Sequence, residues 1–352
     1  MRELSIDGKL INDDGDCYVI AEIGHNHQGK LENAKELFHA AKQVGADAVK
    51  LQKRDNRTLY TQELFNKPYE NENSFGPTYG AHREALEFGP DEYRELQKYA
   101  RELDITFFAT AFDFASADLL AELEMPAFKI ASGDLTNIPL LKHIAQFGKP
   151  MVISTGGGTL EDVQRVYDII TPINPQFCLM QCTASYPASF DELNLRVISA
   201  YRERFPDTVI GFSAHDNGIA MALAGYVLGA RVVEKHFTLN RSLKGTDHAF
   251  SLEREGLRKL VRDLRRARVA MGDGEKNVYA SEKAPLLKMG KKLVAARDLP
   301  SHHVLTREDV AIKSPGDGLA PYHLDAVLGK RLKVFLQKDK NISFDLLDGN
   351  VP

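Results

Sequence analysis

The chain has 352 residues, 43% of them hydrophobic and 27% charged, which suits a soluble globular protein with one large domain or two unequal ones. A net charge of −4 gives no reason to expect a nucleic-acid or membrane partner, and no apolar run approaches the roughly 18 residues that a membrane span needs. Met1-Arg2-Glu3-Leu4-Ser5 lacks the charged-then-apolar pattern of a signal peptide, and the odd set Cys17, Cys178 and Cys182 fits a reduced, cytoplasmic protein.

Strand and helix signals alternate along the first 270 or so residues. Apolar, β-rich runs are expected at 18–23, 48–52, 106–111, 127–130, 150–154, 177–181, 209–213 and 232–236, each followed by an amphipathic segment. Ala34, Leu37, Phe38, Ala41 and Val44 make one helical stripe. Tyr93, Leu96, Tyr99, Ala100 and Leu103 make another, opened by Pro90 at a favoured first-turn position. Eight such units match the length and rhythm of a closed (β/α)8 TIM barrel. An open doubly wound sheet is the competing fold, but no glycine-rich dinucleotide loop follows the first strand. The barrel is the expected fold, over residues 1–272.

In a barrel of this kind the site is built at the carboxyl ends of the strands. Those ends are polar here. The first carries Glu22, then Asn26 and His27, and the second Lys50 and Gln52. Thr110 follows on the third, Lys129, Ser132 and Asp134 on the fourth, and Ser154 and Thr155 on the fifth. Gln181, Thr183 and Tyr186 come from the sixth, and Ser213, His215, Glu234 and His236 from the last two. Lysine is rarely buried without a partner, so Lys50 and Lys129 beside serine hydroxyls suggest a pocket for a small anion bearing phosphate and carboxylate. Any one of these Ser or Thr residues has a simpler use as a helix cap. His215 and His236 end adjacent parallel strands joined by a helical stretch at 218–228, so both imidazoles reach one face and are positioned to share a divalent metal. A core histidine with a single hydrogen-bond partner is the plainer reading of either one alone.

The long insertion at 53–88 is expected to cover the mouth, with His82 and Arg83 as candidate substrate contacts. The basic helix pattern at 253–271 reads as a solvated face. A linker is expected at 273–287. Residues 288–352 then read as a small mixed domain with short strands at 292–296, 310–313 and 331–335, too small to be comfortable on its own core.

Six motifs carry a resemblance: Ala21-Glu22-Ile23-Gly24-His25-Asn26-His27, Val49-Lys50-Leu51-Gln52, Phe128-Lys129-Ile130-Ala131-Ser132-Gly133-Asp134, Gln181-Cys182-Thr183, Gly211-Phe212-Ser213-Ala214-His215 and Glu234-Lys235-His236-Phe237-Thr238. In this order they resemble the sialic acid synthase family, and the tail with Ile312-Lys313-Ser314-Pro315-Gly316 is similar to that family's SAF (antifreeze-like) domain. The resemblance covers essentially the whole chain. It implies condensation of phosphoenolpyruvate with N-acetylmannosamine or its 6-phosphate, giving a nine-carbon 2-keto-3-deoxy acid and phosphate.

The resemblance also implies a divalent metal on His215 and His236, Mn²⁺ preferred with Mg²⁺ or Co²⁺ possible, and a domain-swapped homodimer. By it, Lys50, Thr110, Lys129, Ser132, Ser154 and Ser213 hold phosphoenolpyruvate; Gln52, Tyr186 and Asp247 contact the sugar; Glu22 and Asp134 manage protons and water. Which of the two carboxylates is acid and which base stays open.

Two positions depart from the free-sugar bacterial pattern: Ser314 stands where arginine is usual, and Ala184 where asparagine is. The stretches 78–99 and 153–247 look instead like the animal-type synthase that takes the 6-phosphate. Lys288 matches a lysine of that type and is a candidate for the sugar phosphate, with an ordinary exposed lysine as the equal alternative. The rival functions are a synthase of another nonulosonic acid (legionaminic, pseudaminic or KDN type) and a non-enzymatic carbohydrate-binding protein.

Overall fold

The computed structural model describes residues 2–349. Its first element is one that the sequence pattern did not announce, an antiparallel hairpin of β1 (Glu3–Ile6) and β2 (Lys9–Asn12). Eight parallel strands follow: β3 (Tyr18–Gly24), β4 (Ala48–Lys53), β5 (Thr106–Ala111), β6 (Phe128–Ile130), β7 (Met151–Ser154), β8 (Phe177–Cys182), β9 (Val209–Ala214) and β10 (Val232–His236). They close into a barrel in chain order, β10 pairing with β3. Each expected run lies on one of these strands, with ends shifted by no more than about a residue.

Alternation along the strands explains what each face does. Val19, Ala21 and Ile23 of β3 pack outward against the helices, with Leu37 and Phe38 of the helix Leu31–Gln43 and Tyr93 and Leu96 of the helix Pro90–Leu103. The opposite parity faces inward. At the amino-terminal end these inward residues are apolar, namely Tyr18, Ile20, Ala48, Phe108, Ala127, Val152, Cys178, Met180, Val209 and Val232. Leu4, Ile6 and Ile11 of the hairpin join that same cluster. The hairpin therefore plugs the amino-terminal end of the barrel. Continuing the same parity toward the carboxyl ends gives Glu22, Lys50, Thr110, Lys129, Ser154, Ser213 and Glu234, all buried. One register of eight strands thus makes a dry floor and a polar cup above it.

The chain between β4 and its return helix forms three short helices, Asn56–Leu59, Gln62–Asn66 and Tyr79–Glu84. The helix Arg254–Met271 buries Leu257, Leu260, Val261 and Leu264. Its basic face is spent on exposed pairs such as Arg258–Glu255 and Arg268–Asp16, as expected of a solvated surface. No helix among the described residues is long and apolar enough to cross a membrane.

A second compact unit begins at Asp273. The expected linker at 273–287 is partly helical, since Lys283–Met289 forms a helix that carries Lys288. Beyond it, β11 (Lys292–Ala295) pairs antiparallel with β12 (Val310–Lys313) over a core that includes Leu293, Leu299, Val327, Leu332 and Ile342. The strand expected at 331–335 is absent. Arg331 and Leu332 make isolated bridges to Val304 and Leu347 instead, because Lys333 to Phe335 have no continuous partner strand. Asp309 organises this unit: fully buried, it accepts hydrogen bonds from Arg297, His303 and the Thr306 amide and hydroxyl. Burial alone would raise its carboxyl, but these donors outweigh burial and hold it well below the usual carboxylate range.

Candidate active site

The polar cup opens into a cavity of about 610 Å³. It is lined by twelve of the predicted site residues: Glu22, Lys50, Gln52, Thr110, Lys129, Ser132, Ser154, Tyr186, Ser213, His215, His236 and Asp247. Two others lie elsewhere. Asp134 sits in the 3-10 turn Ser132–Asp134, outside the lining, where it accepts a hydrogen bond from Asn137 Nδ2 at 3.0 Å. Lys288 is exposed on its helix in the second unit. Ser314 also belongs to that unit, where Lys291 Nζ donates to its Oγ at 2.7 Å.

The two strand-end lysines differ in their partners. Lys50 Nζ pairs with Glu22 Oε2 at 2.7 Å, lies 3.8 Å from Glu234 Oε1 and donates to Thr110 Oγ1 at 2.7 Å. Lys129 Nζ donates to Ser154 Oγ at 2.6 Å and to the Ile130 carbonyl at 2.7 Å, and among the described residues has no carboxylate in contact. Burial lowers the Lys129 pKa, opposed by the negative charge of Glu234. Burial alone would raise Glu234, but Lys50 and Lys129 hold its carboxyl below the ordinary value. The two ammonium groups are balanced in number by Glu22 and Glu234, but both carboxylates lie on the Lys50 side, and Lys129 meets only a hydroxyl and a carbonyl. That leaves its ammonium open to a small anion.

Above the floor stand the imidazoles. His215 Nδ1 lies 2.9 Å from the Thr183 carbonyl, so the ring donates there and turns its Nε2 lone pair free. Burial, reinforced by neighbouring His236, pushes its pKa down to about 3, so the ring is neutral. His236 Nδ1 is buried with no hydrogen-bond partner and lies 3.6 Å from Asp247 Oδ2. The two ring centroids are 5.4 Å apart. Two imidazoles with the Asp247 carboxylate at hand fit a borderline divalent ion. Among the described residues no three His, Cys, Asp or Glu side chains form a ready-made metal set. Tyr186 packs on the His215 ring at 4.3 Å, and Phe250 on His236 at 4.8 Å.

Glu22 is positioned from two sides, since Gln52 Nε2 donates to its Oε1 at 2.7 Å while Lys50 holds Oε2. Gly24, at φ +52°, lets the chain pass this corner. A Cβ there would lie 3.1 Å from Gln52 Nε2 and 3.2 Å from Glu22 Oε1.

Several polar residues at the strand ends have structural duties instead. Asn26 Nδ2 donates to the Phe237 carbonyl and Ser251 Oγ, and His27 stacks on Phe88 at 4.1 Å. Gln181 donates to the Leu193 carbonyl, Thr155 to Met180 and Thr183 to Glu192. His82, a candidate contact in the insertion, is buried there and accepts from the Phe75 amide, so it is corrected to a structural role. Arg83 does reach the cavity. Arg54 and Phe112 also line it and were missed. Both continue the inward parity of their strands (50, 52, 54 and 108, 110, 112), and that signal would have found them.

A family model described as the NeuB family matches residues 37–276, and a SAF domain model matches residues 292–348. The chain is 41% identical over 344 residues to the N-acetylneuraminate-9-phosphate synthase of Homo sapiens, covering 97% of this chain and 96% of that one. It is 34% identical over 338 residues to the N,N'-diacetyllegionaminic acid synthase of Legionella pneumophila, covering 94% and 95%. Among solved structures, an N-acetylneuraminic acid (sialic acid) synthetase from Leptospira borgpetersenii in complex with citrate aligns with a TM-score of 0.71 at 30% identity, covering 81% of this chain and 95% of that one. A (β/α)8 barrel with this polar cup, followed by a SAF domain and matched along nearly its whole length, makes the chain an enzyme of the NeuB family, the synthases of sialic acid and related nonulosonic acids.

Proposed function

We propose that the cavity condenses phosphoenolpyruvate with an N-acetylated amino sugar, N-acetylmannosamine 6-phosphate first, yielding N-acetylneuraminate 9-phosphate and inorganic phosphate. The observation that supports this reading is the Lys129 ammonium, set among hydroxyls with no carboxylate in contact and sharing one cavity with the imidazoles of His215 and His236. Lys50, Lys129, Thr110, Ser132, Ser154 and Ser213 hold the phosphate and carboxylate of phosphoenolpyruvate. His215 and His236 hold a divalent ion, Mn²⁺ first and Mg²⁺ or Co²⁺ as alternatives, which when bound supplies Lewis-acid polarisation of the sugar aldehyde. Gln52, Tyr186 and Asp247 orient the sugar. Glu22, held between Lys50 and Gln52, is the carboxylate at the reacting centre that moves a proton. Asp134, standing outside the lining, assists the water that attacks the oxocarbenium carbon only if the turn at 132–134 carries it inward.

The phosphorylated acceptor is supported by near-full-length similarity to a 9-phosphate synthase, by Ser314 in place of a guanidinium and by the exposed Lys288. The similarity to a diacetyllegionaminic acid synthase favours another nonulosonic acid as the second reading. An acceptor panel read by phosphate release decides between them. Wild type is expected to use N-acetylmannosamine 6-phosphate with a higher kcat/KM than the free sugar. Lys288→Ala should raise KM for the phosphorylated acceptor about tenfold and leave that for phosphoenolpyruvate unchanged. A higher kcat/KM for the free sugar, with Lys288→Ala silent for both acceptors, rejects the phosphate reading.

The second unit is proposed to serve the barrel of a partner in a domain-swapped homodimer. Deleting residues 288–352 is then expected to leave the barrel folded by circular dichroism and to lower turnover at least tenfold. Mixing the deleted chain with His236→Ala chains should restore part of the activity. A fully active monomeric barrel excludes the arrangement. Its three free cysteines are all buried, in keeping with work in a reducing cytoplasm.

A further inference from the structure

Where β4 passes into the insertion, two guanidiniums flank one imidazole. Arg54 Nη1 lies 3.2 Å from His25 Nε2, and Arg83 Nη1 lies 3.2 Å from His25 Nδ1. A neutral imidazole offers one N–H and one lone pair, so it accepts from only one of the two; the other guanidinium meets an N–H. Burial, with both cations beside it, holds the His25 pKa well below its ordinary value, so the ring carries no charge to complicate this. The arrangement is like-charged and short of acceptors.

Only the charge of Glu87 on Arg54 and of Asp247 on Arg83, acting without contact between the charged groups, relieves it. Among the described residues neither guanidinium has a carboxylate oxygen within 4.0 Å. The acids near them in sequence are engaged elsewhere: Asp55 caps the helix Asn56–Leu59, Glu84 pairs with Arg57 and Glu87 with Lys53. Arg54 is only 7% exposed, and it is held in place rather than loose. Its Nη2 donates to Gln52 Oε1 at 2.7 Å, its Cζ lies 3.7 Å from the Phe112 ring centroid, and its backbone amide donates to Glu87. Arg83 donates from Nε and Nη2 to the Tyr79 hydroxyl. Both arginines line the cavity. Two guanidiniums held in place on one cavity, neither with a carboxylate in contact and each with N–H groups to spare, describe a site for an anion with several oxygens.

We propose that Arg54 and Arg83 form a second anion subsite on the insertion side of the cavity, which takes the terminal phosphate monoester of the acceptor. This rests on the condensation reading above and adds to it the residues that select the acceptor. The charge layout assigns the acceptor rather than phosphoenolpyruvate. Lys50, Lys129 and the hydroxyls of the strand floor serve one phosphate and one carboxylate, and Arg54 leans on Gln52, a proposed sugar contact, away from that floor. The acceptor's phosphate is the remaining anion, and Arg54 and Arg83 add to what Lys288 is proposed to contribute.

The test uses the alditols of N-acetylmannosamine and of its 6-phosphate, which lack the aldehyde and cannot be condensed. Binding is measured by calorimetry on the full chain with phosphoenolpyruvate and Mn²⁺ present. The phosphorylated alditol is expected to bind wild type tightly and to lose about tenfold to a hundredfold in Arg54→Gln and in Arg83→Gln. In Arg83→Gln, whose arginine touches no proposed sugar contact, the unphosphorylated alditol and phosphoenolpyruvate should change less than about twofold. Arg83→Lys, which keeps the charge and loses the fork, should fall between, and it carries the test should Arg54→Gln fail to fold. Equal losses for both alditols, a loss confined to phosphoenolpyruvate, or no preference of wild type for the phosphorylated alditol overturns the subsite. Wild-type turnover that favours the free sugar, while phosphorylated alditol binding still depends on both arginines, overturns the acceptor reading alone.

Discussion

His215→Ala and His236→Ala are each expected to abolish tight binding of Mn²⁺ and to lower kcat by about 10³, the equivalent of roughly 4 kcal/mol of transition-state stabilisation. The reason is the scarcity of other protein ligands. Among the described residues no three His, Cys, Asp or Glu side chains form a ready-made metal set, so losing one imidazole removes one of the two ring donors the protein offers the ion. Both variants should keep the barrel, because each ring lies at a strand end over the cavity and not in the apolar floor. His215→Gln is the more informative variant. Its amide retains a donor for the Thr183 carbonyl but no imidazole lone pair, so folding should be kept and metal lost. Measurement is by titration with Mn²⁺ and by steady-state phosphate release. Unchanged Mn²⁺ affinity and turnover in both alanine variants would show that the pair does not hold the ion.

Lys129→Ala is expected to lower kcat/KM for phosphoenolpyruvate by two to three orders of magnitude, about 3 to 4 kcal/mol, while leaving metal affinity intact. Lys50 cannot replace it, since that ammonium is already bound to Glu22 and faces Glu234. Removal of Lys129 also takes from Glu234 one of the two cations that hold its carboxyl ionised, so the Glu234 pKa should rise. The folded-state pKa of Glu234 lies below its ordinary value, so it contributes stability that is present above that ordinary value and lost as pH falls through the folded value. In the variant this loss begins at higher pH, and a melting-temperature profile between about pH 4 and 7 reads it. A Lys129→Ala enzyme with ordinary saturation by phosphoenolpyruvate would remove this lysine from the substrate site.

Much of this was legible because parallel strands buried on both faces write themselves as apolar runs, and the runs end where the polar cup begins. Lys50 and Lys129 stand out in such runs since a lysine there needs a reason. The hairpin of β1 and β2 was not legible. Its strands are four residues long, and what makes Leu4, Ile6 and Ile11 core residues is an interior assembled from strands far along the chain. Asn26, His27 and His82 look like site residues in one dimension. Their hydrogen bonds and stacking, set by Phe237, Ser251, Phe88 and Phe75, are visible only in three. Arg54 and Phe112 escaped because their strands end before them, although the inward parity does not.

The sequence by itself determined the eight-fold alternation of strand and helix, the polar strand ends, the histidine pair and the change of character after Gly272, since each is a local pattern of period, charge or turn residues. Only the tertiary structure decided which of these groups meet. Closure of the barrel sets His236 in register with Glu22, and the neighbouring pair sets Glu22 in register with Lys50, which joins the metal corner to the anion floor. That juxtaposition depends on long-range pairing of the first and last strands, and no local window contains it. The same holds for the two arginines about His25, which come from separate elements and carry charge that becomes uncompensated only when folding brings them to one ring.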